Sequence, residues 1–113
     1  MSKYHNKKTL RDGILFDSKN EADRYDELKL LEKAGLIHGL RLQPEYEILP
    51  KFKYNKKTVR AIKYRADFEY TEGFETVVED VKGFVTKDFA LKRKMFLYRY
   101  GHIYDFRIIK AGD

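Results

Sequence analysis

The chain of 113 residues contains no cysteine. Neither a disulfide framework nor a cysteine-rich zinc site is open to it, and a reducing interior suits it. It also lacks any apolar run approaching the roughly 18 residues that a membrane-spanning helix needs. The opening, MSKYHNKKTLRDG, has no apolar segment of the signal-peptide kind. The expectation is a soluble, cytoplasmic protein with no membrane partner. Proline is scarce, occurring only as Pro44 and Pro50. No repeat, low-complexity tract or linker divides the chain, so residues 1–113 read as one domain.

What is present is a foldable and highly charged composition. Hydrophobic residues make up 42% and include nine Tyr and eight Phe, too many for a disordered chain, while charged residues make up 37%. The net charge of +6 favours a polyanionic partner, because basic side chains gain affinity for phosphates by releasing condensed counterions.

Local patterns predict an alternation of strands and helices. KKTLRDGILF places Asp12-Gly13 between two short runs, the signature of a tight hairpin and a small N-terminal β-ribbon. Ser18 then opens SKNEADRYDELKLLEKAG, with Ser18 and Glu21 at capping-box spacing and Gly35 as a stop, which predicts a first helix. LQPEYEIL, Leu42 to Leu49, reads as a strand, followed by a basic, exposed excursion, KFKYNKKT. Ile62, Tyr64, Ala66, Phe68 and Tyr70 alternate with polar residues and predict one long strand. A turn at Thr71–Gly73 leads to a partner strand, ETVVEDVK. Thr86 caps a predicted second helix from Lys87 to Tyr100, with Leu91, Met95 and Tyr98 at helical spacing and Gly101 as its stop. HIYDFRII is a final strand. The predicted order is ribbon, helix, three strands, helix, strand.

Charge in the middle of VVEDVKG, Val77 to Gly83, invites a chemical reading. Side chains alternate along a strand, so Asp80 and Lys82 share a face and Glu79 lies opposite with Val77 and Val81. Antiparallel pairing with the preceding strand would bring Asp67 close to Asp80 and Lys82. Two converging carboxylates repel, and a hard divalent cation with oxygen ligands, magnesium or manganese, relieves the repulsion. A neighbouring lysine can then orient or deprotonate a water that attacks a phosphodiester. The competing reading is a cross-strand ion-pair cluster worth a few tenths of a kcal/mol.

Glu21, Asp67 in RADF, and Asp80-Val81-Lys82-Gly83 together resemble the PD-(D/E)xK nuclease superfamily, whose core orders its elements helix, three strands, helix, strand. Within it, FDSKNEADRYDELKLLEKAGLI, QPEYEI, YRADFEY, VVEDVKG and DFALKRKMFLYRYG resemble a group of small phage and prophage proteins assigned to this fold. The resemblance covers nearly the whole chain and implies an α/β (α+β) domain with a mixed sheet flanked by helices. It implies that Asp67 and Asp80 hold the metal, that Lys82 serves the attacking water, and that Glu21 contributes from the helix. Ala66 stands where the eponymous motif has proline. By analogy it also implies a magnesium-dependent DNA endonuclease, acting on branched DNA such as recombination junctions, working as a homodimer, and resident in the host cytoplasm if phage-encoded.

Alternatives stand beside this. Glu21 is also explained by capping alone, although Glu21, Tyr25 and Leu28 share one helical stripe. Glu79 has no role in the scheme. His5, His38 and His102 have no spacing that gathers them into a metal site. Lys92 and Lys94, with Arg93 and Arg99, are either phosphate contacts or a solvated helix face. Lys53, Lys56, Lys57 and Arg60, interleaved with Phe52 and Tyr54, are candidate DNA contacts with a stacking surface. A basic nucleic-acid-binding module without chemistry is the main rival to a nuclease, and an RNA nuclease ranks third.

Overall fold

The computed structural model describes residues 7–110. His5 lies outside them. Strands β1 (Thr9–Arg11) and β2 (Ile14–Phe16) form the expected ribbon, turning at Asp12 and Gly13, both with positive φ. Helix α1 (Lys19–Lys33) begins at Ser18, whose hydroxyl accepts from the Glu21 amide at 3.1 Å. It is followed by Gly35 at φ 79°, the left-handed conformation that glycine adopts without steric cost.

The central sheet has four strands in the order β10-β9-β8-β3. They are β3 (His38–Leu42), β8 (Phe68–Glu72), β9 (Glu75–Lys82) and β10 (Asp105–Lys110). Strands β3, β8 and β9 pair antiparallel and β9 pairs parallel with β10, so the sheet is mixed. The parallel pair is joined by helix α2 (Lys87–Tyr100), a crossover that only a long connection can make. Two further ribbons lie outside this sheet: β4 (Glu45–Leu49) with β7 (Ile62–Arg65), and β5 (Phe52–Tyr54) with β6 (Lys57–Val59). The molecule is thus an α+β structure with a mixed sheet and two helices. None of its described helices is long and apolar enough to cross a membrane.

Two cores flank the sheet. Under α1 lie Phe16, Ala22, Tyr25, Leu28, Ile37, Phe68, Tyr70 and Val77. Against α2 lie Tyr46, Ile48, Tyr64, Ala66, Val78, Phe89 and Phe96. Strand β9 feeds both, Val77 into the first and Val78 into the second, because successive side chains leave a strand on opposite faces. It is buried on both sides, which is why its sequence is rich in valine throughout rather than alternately.

Four expectations are corrected. The strand expected over Leu42–Leu49 is the shorter β4, Glu45–Leu49, set off by Gln43 at φ 51° and Pro44 from the unexpected β3, which ends at Leu42. The long strand from Ile62 to Tyr70 is also two: β7 pairs with β4, whereas β8 pairs with β3 and β9. The basic excursion is itself a β-hairpin. The last strand starts at Asp105, since the Ile103 and Tyr104 amides still donate to the Tyr100 carbonyl at 3.0 Å each. Helix α2 has the expected limits and Thr86 cap, but its packing face differs. Phe89 and Phe96 are buried, while Leu91 and Tyr98 are exposed.

Candidate active site

Two of the pairings singled out in the sequence lie toward the carboxyl end of β9: Glu21 with Asp67, and Asp80 with Lys82. Asp67 sits where the chain leaves β7 for β8, and three hydrogen bonds fix it. Its amide donates to the Glu79 carbonyl (3.0 Å), its own carbonyl accepts from the Gln43 amide (2.9 Å), and its carboxylate accepts from the Val81 amide at 2.7 Å. Asp67 is therefore stitched to β9 and to the β3–β4 connection at once. The preceding residue is held just as closely. Ala66 donates its N–H to the Pro44 carbonyl at 3.0 Å and is 1% exposed, so a proline there would remove a hydrogen bond from a packed position.

Glu21 reaches this point from α1. Its carboxylate accepts from the Asp17 amide at 3.3 Å, one residue before the Ser18 amide that the capping-box pattern predicts. Its carboxyl group also hydrogen-bonds Asp67, so capping and the site are joined in one side chain. Burial, followed by the Asp67 carboxylate, raises the Glu21 carboxyl to about 8. Burial raises Asp67 as well, opposed by its bonds to Glu21 and the Val81 amide and by the positive charge of Lys82. Both carboxyls of the pair therefore hold a proton more readily than in water.

Asp80 lies on the opposite face of β9, 1% exposed, with Lys82 Nζ 3.9 Å from Oδ1. Its Oδ2 is buried without a hydrogen-bond partner. Burial raises its carboxyl to about 7, against the pull of Lys82. Lys82 lies 4.5 Å above the Phe89 ring, a cation–π contact that draws it toward the start of α2. Lys82 thus acts on both Asp67 and Asp80. The structure brings Glu21 to Asp67 and Asp80 to Lys82. Among the described residues, no group of three or more His, Asp or Glu is arranged to hold a metal ion.

Glu79 finds its explanation on the other face. It is fully buried, and both its oxygens accept from Arg24 of α1, from Nε at 2.9 Å and Nη2 at 2.7 Å. The buried Tyr70 hydroxyl also donates to it. Arg24 lies one helical turn beyond Glu21, so this bidentate pair clamps α1 to the sheet at the height where Glu21 must meet Asp67. Asp17 is the residue that sequence reasoning overlooked. Its charge acts on both Glu21 and Asp67, and it pairs with Arg65 at 3.2 Å and Lys8 at 3.0 Å on the rim. Its one signal was its place just before a helix cap.

The remaining candidates fall outside this cluster. Lys92 pairs with Asp88 at 3.7 Å, one helical turn back on α2. Lys94 lines a shallow groove with Ile48, Pro50, Met95, Tyr98 and Arg99. Lys53, Lys56, Lys57 and Arg60 belong to the exposed β5–β6 ribbon or its edge. His38 and His102 are exposed, at the start of β3 and just after α2.

The fold and site define a small α+β domain whose mixed sheet ends in a buried acidic cluster served by one lysine. A family model described as "Protein of unknown function (DUF1064)" matches residues 1–112, and the chain belongs to that family. No curated protein matches it.

Proposed function

We propose that the protein is a metal-dependent DNA endonuclease of PD-(D/E)xK type. The observation that carries the reading is a pair of buried carboxyls, Glu21 with Asp67, and a second buried carboxylate, Asp80, near one end of β9, with Lys82 acting on both Asp67 and Asp80 and with Asp80 Oδ2 buried and unpartnered. Buried carboxyls that hold protons near neutrality lack positive charge, and their donor set is all oxygen, which suits magnesium or manganese. Asp67 and Asp80 would hold the ion with Glu21 in support. When bound, it supplies Lewis-acid polarisation and a lowered water pKa.

The protein's own groups do the rest. Asp67, fixed by three backbone hydrogen bonds, is a rigid ligand. Lys82, 3.9 Å from Asp80 and acting by its charge on Asp67, would orient the attacking water and offset negative charge gathering on the phosphate. Glu21, held protonated more readily than usual beside Asp67, would have to ionise to support a bound cation. Arg24 and Glu79 keep α1 in position.

The test is cleavage of duplex, single-stranded, flapped and four-way-junction DNA with magnesium, by wild type and Asp80→Asn. Cutting by wild type alone supports the proposal. No cutting, or equal cutting by both, ends it. Two symmetric cuts across a junction need two active sites, so the junction version of the proposal is a homodimer. A strict monomer on junction DNA in sedimentation would overturn that version.

One observation favours a second reading, a nucleic-acid-binding module without chemistry: the absence of a ready three-ligand group among the described residues. Binding indifferent to magnesium and to Asp67→Asn, with no cleavage of DNA or RNA, would establish it.

A further inference from the structure

The positive charge of this protein is not spread over its surface. Residues 51–65 contain seven Lys and Arg and no acid, so this stretch carries +7 of a net +6 and the rest of the chain sums to −1. Within it, Lys63 and Arg65 are drawn to Glu45 (4.0 Å) and Asp17 (3.2 Å). The five cations of the β5–β6 ribbon and its edges, Lys51, Lys53, Lys56, Lys57 and Arg60, have no ion-pair partner among the described residues.

The ribbon is also bare. Strands β5 and β6 pair only with each other, and every residue from Lys51 to Arg60 is exposed except the half-buried Val59. The radius of gyration, 15.8 Å, exceeds the roughly 13 Å of a compact chain this long, as a projecting arm requires. A two-stranded ribbon with both faces in water is marginal by itself.

Its two faces differ in chemistry. Residues paired across strands point the same way, and neighbours along a strand point opposite ways. Phe52 opposite Val59, and Tyr54 opposite Lys57, make one face aromatic. Lys53 opposite Thr58, with Lys51 and Arg60 in the same parity, makes the other cationic. Asn55 and Lys56 turn the tip with φ of 48° and 64°, the pair of positive values that a two-residue hairpin needs.

We infer that the β5–β6 ribbon selects DNA with unpaired bases, its cationic face following the phosphates and Phe52 and Tyr54 stacking on bases that a continuous duplex keeps closed. This deepens the nuclease proposal and rests on its assignment of DNA as substrate. Charge fixes a polyanion as the occupant, and exposed rings opposite that charge fix the need for open base faces. The ribbon is continuous with the site. Seven residues lie between Val59 and Asp67, at most about 26 Å of extended chain.

The test measures binding in EDTA to blunt duplex, single-stranded, flapped and four-way-junction DNA, and to single-stranded RNA of the same sequence. Phe52→Ala/Tyr54→Ala is expected to weaken binding to single-stranded and branched DNA at least about fivefold, the lower bound of one stacked base, and duplex binding less than about twofold. Lys53→Glu/Arg60→Glu is expected to weaken all DNA forms alike and flatten the salt dependence. Unchanged melting temperatures exclude misfolding as the cause. Equal loss on duplex and branched DNA, no loss, or a preference for RNA overturns the inference. If the aromatic-dependent preference holds but magnesium elicits no cutting, the nuclease proposal fails and this inference stands. If DNA is cut but both aromatic substitutions leave binding untouched, the reverse holds.

Discussion

Glu79 and Asp80 are neighbours in β9, both carboxylic acids, both buried to within 1% of complete. They face opposite sides of one sheet and differ in every other respect. Glu79 meets a bidentate guanidinium and a tyrosine hydroxyl, so each oxygen is occupied. Asp80 meets one lysine at the limit of ion pairing, with one oxygen unpartnered. A buried charge that is fully matched is holding two layers together, whereas one left short of partners is costly unless something else arrives. Burial alone does not separate architecture from chemistry; the count of partners does.

The largest expected effect breaks the matched side. Glu79→Ala or Arg24→Ala strands the other charge and is expected to lower unfolding stability by about 3–5 kcal/mol in urea titrations. The double substitution should cost less than the sum, as a double-mutant cycle will show. Asp80→Asn works on the unmatched side and should do the opposite. Cleavage is expected to fall more than about 100-fold, while stability above pH 7 without metal holds or rises.

A pH series sharpens the contrast. Asp80 at about 7 and Glu21 at about 8 hold their protons more tightly in the folded chain than in the unfolded one. Their contribution to stability is fully present below about pH 4, the ordinary carboxyl range, and is lost as pH rises through 7 and 8. Unfolding free energy in EDTA should fall across that window by on the order of a few kcal/mol, with a parallel fall in melting temperature, and Asp80→Asn should flatten the fall. Magnesium needs the ionised carboxylates, so its stabilising effect should grow over the same window. The smallest effect is reserved for Lys92→Ala on α2, about 0.3–0.5 kcal/mol in thermal melts for an exposed pair with Asp88.

The division of β9 between two faces was legible from VVEDVKG alone, because strand parity needs no partner to be read. So was the inward stripe of Glu21, Tyr25 and Leu28, all of them buried. Glu79's role was not legible, since Arg24 lies 55 residues away and only folding brings the two together. The break at Ala66–Asp67 was hidden for a subtler reason. Tyr64, Ala66, Phe68 and Tyr70 keep a perfect two-residue period and are all buried, yet the first two enter the α2 core and the last two the α1 core. Period reports that a face is covered, and stays silent when the covering layer changes. Strand β3 was missed because Gly39 and the bulge between His38 and Arg41 erase its alternation. On α2, Phe89 and Phe96 take the interior in place of the expected stripe through Leu91 and Tyr98.

The charge segregation of the β5–β6 ribbon has a kinetic side. A molecule whose arm carries +5 of a net +6 and whose body is nearly neutral is an electric dipole, and a polyanion's field turns a dipole before contact is made. Encounters with any polyanion at low salt are thus pre-oriented, arm first. Above physiological ionic strength, where the screening length falls below about 8 Å, that alignment fades and collisions become random in attitude.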